Sequence, residues 1–167
     1  VWERLVKIDH SNTETAYKIA GHYEEDNPEL AIYYYKLTLK RMLMQNSTSE
    51  LENIWKKLAH LIPEDLDFFY SLESKLQNKL DNEDIAELFS ELLPYYQEEG
   101  DVDTTIRLLE TIIGYDPKNK EARNDLVEAF SKKYEGHSKL EETLALASID
   151  QTWKPLDESL ETFYANI

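Results

Sequence analysis

The chain has 167 residues, with 34 Asp and Glu against 18 Lys and Arg, so its formal net charge is −16. Affinity for a phosphate backbone comes from Lys and Arg that displace counterions, so this balance argues against nucleic acid as a direct partner. It argues equally against an anionic membrane surface. A basic protein partner, or plain solubility, fits the charge better.

The residue content predicts an all-α protein. Leu, Glu, Lys and Ala are abundant, and only four Gly and five Pro interrupt them. No alternating β-branched run of strand length appears. Helix caps and breakers predict helices, in chain order, at 1–8, 13–25, 28–44, 49–61, 64–80, 83–98, 102–114, 120–134, 138–148 and from about 155.

Every second predicted helix begins at a regular interval. The starts at 13, 49, 83 and 119 are separated by 36, 34 and 36 residues. A period near 34 with two helices per unit resembles that of tetratricopeptide repeats. The resemblance implies a right-handed α-solenoid in which each unit packs on its neighbours.

Side chains follow the tetratricopeptide pattern in places and depart from it in others. The matching positions are Ile19, Ala20, Tyr23, Ala31, Ile32, Tyr35, Trp55, Leu58, Ala59, Tyr96, Gly100, Asp101, Ile106, Leu109, Pro117, Leu126, Val127 and Phe130. Thr105 and Lys139 stand where a small residue is usual, and 64–80 fits no clear register. Pro94 falls inside the predicted helix 83–98, which it must kink or interrupt. The array is therefore expected to be degenerate.

The predicted organisation has three parts. Residues 13–150 form about four repeats, preceded at 1–12 by the second helix of a truncated repeat and its turn. Residues 151–167 form a C-terminal helix that leads to a missing domain. Because the chain opens on Val1 inside an apparent helix, we expect it to be a piece of a longer protein.

Residues that could carry catalysis or bind a metal are scattered. The four His residues occupy separate helices or turns without an i, i+4 partner, and there is no Cys, so a zinc site is disfavoured. A pair of catalytic carboxylates would need one raised pKa in a closed pocket, which solenoids rarely build. We predict no enzyme activity, no metal and no cofactor.

The predicted binding surface is the concave face, which the first helix of each unit lines in tetratricopeptide arrays. Its expected residues, beside Gly21, are Tyr17, Lys56, His60, Ser90, Gln97, Asn124 and Glu128. Only Lys56 and Asn124 resemble the cationic and amide residues that clamp chaperone C-termini, so that ligand is disfavoured. A basic or amphipathic helical segment suits the acidic groove better. Alternatively, the face binds nothing and only spaces other domains.

The tail carries a more specific resemblance. A Lys-Tyr-x-Gly-His-Ser turn spans 133–138, an apolar helix follows, Gln-Thr-Trp stands at 151–153, and an acidic-aromatic helix ends near Phe163. This arrangement resembles the end of the helical N-terminal extension of spirochaete Gre-type transcription elongation factors. The specific part covers about thirty residues, 132–163.

The resemblance implies a cellular context. Gre-type factors rescue backtracked RNA polymerase with two acidic residues, at the tip of a coiled coil, that help to hold Mg²⁺. That coiled coil and its acids are not in this sequence, so no catalytic residue is carried over. The resemblance implies a cytoplasmic bacterial protein whose partner is RNA polymerase or a basic protein segment, with this piece as a monomeric accessory module.

Two functions follow from the sequence. The first is a non-catalytic interaction or scaffolding module within a Gre-type elongation factor. The second is a stand-alone tetratricopeptide-like adaptor that binds a basic or amphipathic peptide. A downstream coiled coil with acidic tip residues would distinguish the first from the second.

Overall fold

The computed structural model describes residues 13–45 and 50–133, and all regular structure in these ranges is helical. The helices are α1 (Thr13–Tyr23), α2 (Pro28–Gln45), α3 (Leu51–Leu61), α4 (Leu66–Tyr70), α5 (Glu73–Leu76), α6 (Asn82–Ser90), α7 (Leu93–Glu99), α8 (Val102–Tyr115) and α9 (Lys120–Lys133). The all-α class is confirmed. The helices predicted at 1–8, at 138–148 and from 155 lie outside the described residues.

The chain divides into two compact units, Val1–Asp81 and Asn82–Ile167. In unit 1, α2 packs against both α1 and α3. In unit 2, α8 packs against α6, α7 and α9. Helices adjacent in the sequence are therefore neighbours in space, as expected for helical repeats. No helix among the described residues is long and apolar enough to cross a membrane.

The core of unit 1 is built around Trp55 of α3. Apolar residues at i, i+3, i+4 and i+7 give this helix one buried face, formed by Leu51, Ile54, Trp55 and Leu58. The Trp55 side chain is 0% exposed, and its ring meets the Phe69 ring edge-on with 4.9 Å between centroids. The pattern residues Trp55, Leu58 and Ala59 are all buried, as the tetratricopeptide pattern predicts.

The core of unit 2 is centred on α8 and the aromatic residues that surround it. Phe89 of α6 is fully buried and stacks on the Tyr115 ring, with 6.5 Å between centroids. Phe130 of α9 is also fully buried. Thr105, which stands where a small residue is usual, is buried and donates its hydroxyl to the Asp101 carbonyl at 2.8 Å. This bond satisfies the hydroxyl, so Thr is accepted there.

The prediction of one continuous helix over 64–80 was wrong. The Asp65 carboxylate accepts from the Phe68 backbone N–H and caps α4, which therefore begins at Leu66. The Ser71 hydroxyl donates to the Phe68 carbonyl at 2.6 Å. The Leu72 N–H donates to the Phe69 carbonyl, three residues back, and a turn at 71–72 separates α4 from α5. The segment 64–80, which fits no clear repeat register, is therefore not one continuous helix.

The predicted interruption at Pro94 is confirmed. The segment predicted at 83–98 is divided into α6, which ends at Ser90, and α7, in which Pro94 occupies the first turn. Proline has no N–H to donate and is tolerated at this position.

The repeat spacing is less regular than predicted. The first helices of successive repeats begin at 13, 51, 82 and 120, so the steps are 38, 31 and 38 residues. Glu50 is the N-cap of α3 and makes no side-chain hydrogen bond to the backbone, so this helix begins at Leu51, two residues after the predicted start at 49. The number of repeats over 13–150 stays a prediction, as do the flanking segments 1–12 and 151–167.

Two glycines give opposite expected effects when replaced by Ala. Gly100 ends α7 in the left-handed region, with φ 72°, whereas Gly114 lies inside α8. Neither replacement would crowd a Cβ, because nothing lies within 4 Å of that position. Gly100→Ala should lower the free energy of unfolding by about 1–2 kcal/mol because of backbone strain. Gly114→Ala should raise it by about 0.5 kcal/mol, since Ala favours helix.

The measurement is urea unfolding of both variants beside the parent chain, followed by circular dichroism. Equal signs for the two substitutions would contradict the assigned backbone conformations.

Candidate protein-binding surface

Three residues predicted to bind a partner lie in unit 1. The Tyr17 ring meets the Tyr35 ring edge-on at 5.9 Å between centroids. The Lys56 ammonium pairs with the Glu52 carboxylate at 2.6 Å along α3, and His60 is exposed near the end of the same helix. None of the three lines the cavity described below.

The other four predicted residues lie in unit 2, and two of them share a cavity. Gln97 and Glu128 both line a cleft of about 370 Å³. Ser90 is half-buried and donates its hydroxyl to the Ala86 carbonyl at 2.8 Å, and Asn124 is exposed on α9. The cleft is lined by Tyr96, Gln97, Gly100, Val102, Thr105, Asp125, Glu128, Ala129 and Lys132.

Polar pairs line the cleft where α7 faces α9. The Gln97 Nε2 donates to the Asp125 Oδ2 at 3.2 Å and so joins the two helices. The Lys132 Nζ lies 2.7 Å from the Glu128 Oε1. Asp125 and Glu128 stand three residues apart on α9, a spacing that places both carboxylates on one side of the helix. The cleft therefore presents two acids and one base.

Buried and half-buried apolar groups complete the cleft. Tyr96 and Ala129 are buried, and Val102 is half-buried. The left-handed Gly100 lets the chain turn sharply from α7 into α8: the Asp101 N–H donates to the Tyr96 carbonyl at 3.0 Å. Because of this turn, the last residues of α7 and the first of α8 border one cavity.

The segment that supplies α6, α7 and the start of α8 is rich in acidic residues. Residues 82–106 include eight Asp and Glu and no Lys or Arg. The hydrogen bond from the Lys132 ammonium lowers the pKa of Glu128, and bonds from the Thr104 hydroxyl and backbone N–H lower that of Asp101. These carboxyls are therefore ionised at neutral pH.

A second polar cluster joins successive repeats within unit 1. The Glu24 carboxylate, in the turn after α1, accepts from the Tyr35 hydroxyl and from the Lys57 ammonium. The Lys57 ammonium also lies 5.5 Å from the centroid of the Tyr35 ring. The cluster fixes the turn between α1 and α2 against α3, so it positions the helices of unit 1.

This cluster shifts two pKa values in opposite directions. The hydrogen bond from Lys57, followed by the one from Tyr35, lowers the pKa of Glu24 below 4.5. Burial, together with the bond to Glu24, raises the pKa of Tyr35 above its usual range. The phenol therefore stays protonated and donates to the carboxylate.

Glu24 should contribute to stability in a pH-dependent way. A carboxyl whose pKa is depressed on folding stabilises the fold above its unfolded pKa, and this contribution is lost as pH falls through the folded pKa. The difference in unfolding free energy between the parent chain and Glu24→Gln should therefore be larger at pH 7 than at about pH 3.

The matched control is Glu14→Gln, because Glu14 pairs with Lys18 in an exposed i, i+4 position. Exposed pairs contribute little, so this variant should track the parent chain across the same pH range. A Glu24→Gln difference that does not change with pH would contradict the assigned cluster.

Sequence reasoning missed part of the cleft. It placed Asn124 and Glu128 on the binding face but not Asp125, although Asp125 lines the cavity and Asn124 does not. Asn124 and Asp125 stand four and three residues before Glu128 on α9, and both spacings place a side chain beside that of Glu128. Among the described residues, no group of three or more His, Asp or Glu could hold a metal ion.

Packed helical hairpins, with buried residues at tetratricopeptide positions, define the chain as an all-α helical-repeat protein. No protein-family model matches it. It is 37% identical over 168 residues to a protein of Treponema pallidum named for GreA-associated domains, in a match that covers 100% of this chain and 26% of that protein. It is 27% identical over 150 residues to the transcription elongation factor GreA of Borreliella burgdorferi, which covers 90% of this chain and 17% of that protein.

The predicted resemblance to spirochaete Gre-type proteins is confirmed by these two relatives. It extends well beyond the tail that carried the prediction, because the matches take in nearly all of this chain. The chain spans about a quarter and about a sixth of the lengths of these relatives. Among solved structures, that of MamA superposes with a TM-score of 0.48 and 18% identity, covering 96% of this chain and 87% of MamA.

Proposed function

We propose that this chain is a non-catalytic protein-interaction module of a larger Gre-related protein that rescues backtracked RNA polymerase in the bacterial cytoplasm. The observation that carries the proposal is the similarity along the chain to two spirochaete proteins, one named for GreA-associated domains and one named GreA. The partner is RNA polymerase or a basic protein segment bound close to it.

The described surface is consistent with a binding role. Helical repeats expose helix faces whose side chains can vary without disturbing the core. The cleft of unit 2 combines an apolar lining with the carboxyl groups of Asp125 and Glu128, a composition that suits recognition of another protein. The chemistry of transcript cleavage would come from another part of the parent protein.

The test measures transcript cleavage in backtracked RNA polymerase complexes. It compares the longer Gre-related protein that contains this chain, called the parent protein, with a variant from which this chain is deleted. If the module supplies only binding, its deletion should leave the cleavage rate at saturation unchanged and raise the protein concentration needed for half-maximal cleavage. A lower rate at saturation would assign it a part in the chemistry. An unchanged concentration dependence would show that the module does not contribute to binding of the polymerase.

The acidic cleft also supports the second candidate, an adaptor for a basic or amphipathic peptide outside transcription. The cleavage experiment distinguishes the two. An adaptor of another pathway would leave both the rate at saturation and the concentration dependence unaltered on deletion.

A further inference from the structure

We propose that the cleft of unit 2 receives a Lys or Arg side chain from a basic, amphipathic segment of a protein partner. This inference rests on the interaction role proposed above and assigns it to one site. The cleft is the region lined by Tyr96, Gln97 and Val102 on one side and by Asp125 and Glu128 of α9 on the other.

The shape of the cleft suits a long cationic side chain. Its volume of about 370 Å³ lies within the range of small-molecule pockets, so it can hold one long side chain. Tyr96, Val102 and Ala129 offer apolar surface to the methylene stem of Lys or Arg, while the charged end reaches polar atoms. A purely apolar side chain would leave the carboxylates of the cleft without a new partner.

The carboxylates are placed to bind the cationic end. The two oxygens of a carboxylate accept several hydrogen bonds, so Asp125 can bind a cation while it keeps the bond from Gln97. Glu128 pairs with Lys132 in an exposed i, i+4 position. Because such pairs contribute little to stability, an incoming cation can replace Lys132 at Glu128 at small cost.

Charge complementarity selects a basic partner over an acidic one. Across 82–106 there are eight acids and no Lys or Arg, and Lys133 of α9 pairs with one of these acids, Asp103, at 2.6 Å. The remaining acids give α6, α7 and the start of α8 a negative field. Such a field attracts cationic segments and repels anionic ones at moderate salt. The rest of the amphipathic segment would lie along this face, with one cation in the cleft.

The test uses the full 167-residue chain and a short acetylated, amidated peptide of Leu and Lys in a helical pattern. The same peptide with Glu in place of Lys is the control. Titration is followed by ¹H–¹⁵N spectra, in which the Gln97 side-chain amide and the Gly100 backbone amide report on the cleft. We expect saturable binding of the Lys peptide with shifts at both groups, and no binding of the Glu peptide.

Three charge-neutralising variants separate the cleft from the general field. Asp125→Asn should weaken binding about tenfold, the cost of losing a charged hydrogen bond at the half-buried Asp125. Glu128→Gln should weaken it less, about threefold, because Glu128 is exposed. Glu98→Gln removes the same charge from an exposed position of α7 that does not line the cleft, and should weaken binding less than twofold. Equal weakening by all three variants, or binding without shifts at Gln97 and Gly100, would overturn the proposal.

Two results distinguish an error in the cleft assignment from an error in the proposed function. If immobilised RNA polymerase binds the parent protein and its Glu128→Gln variant equally well, the cleft assignment is wrong, whereas the interaction role is still supported. If the Lys peptide binds as described but deletion of the module leaves polymerase rescue unaltered, the cleft stands and the proposed partner falls.

Discussion

Replacement of Trp55 by Ala should lower the free energy of unfolding of the chain by about 3–5 kcal/mol. Trp55 has the largest of the fully buried side chains among the described residues. Its removal leaves a cavity bordered by Phe69 and the neighbouring apolar residues of α3, and it forfeits the edge-on contact with the Phe69 ring. Because folded domains are stable by only about 5–15 kcal/mol, this loss removes a large share of the stability.

The measurement is urea unfolding followed by circular dichroism, since Trp fluorescence changes with the substitution itself. Tyr33→Ala is the matched control: an aromatic side chain is again truncated, but Tyr33 is 59% exposed. It should change the unfolding free energy by less than about 0.5 kcal/mol. Similar losses for the two variants would contradict the assignment of Trp55 to the core.

Replacement of Phe89 by Ala should have a comparable effect in unit 2, about 3–5 kcal/mol. Phe89 is fully buried on α6 and stacks on the Tyr115 ring of α8. The contact holds the first helix of this repeat against the second. Its loss should destabilise the packing on which the neighbouring α7, and therefore one wall of the cleft, depends.

Phe89→Leu keeps most of the apolar volume and should cost less than about 1.5 kcal/mol. Asn124→Ala, at an exposed position of α9, should be nearly neutral. Urea unfolding of the three variants under the same conditions gives the order of their unfolding free energies. A Leu variant as unstable as the Ala variant would show that ring stacking, and not apolar volume, dominates at this position.

Much of the local structure was predictable because the signals that determine it are short in range. Pro94 marks a helix interruption since it has no N–H to donate. The buried stripe of α3 follows from apolar residues at helical spacing. The break after Tyr70 was not predictable in the same way, because the apolar residues of 64–80 are compatible with one helix. At the break, the Leu72 N–H donates to the Phe69 carbonyl three residues back instead of continuing the four-residue helical ladder, and no residue type in the segment marks this change.

The candidate site was only partly predictable because it depends on register between helices. Gln97 and Glu128 were placed on the binding face from repeat positions alone, and the structure brings both to one cleft. Asp125 was missed because its role depends on how α9 is rotated against α7. The Glu24, Tyr35 and Lys57 cluster joins residues up to 33 positions apart, and no sequence motif marks it.

This chain is proposed to contact RNA polymerase itself, and direct binding tests that proposal most simply. The full 167-residue chain is applied over a range of concentrations to immobilised bacterial RNA polymerase, at low and moderate salt. We predict saturable binding that weakens as salt rises, is displaced by the parent protein, and is reduced by Glu128→Gln but not by Glu98→Gln. The absence of saturable binding at every salt concentration would contradict the claim.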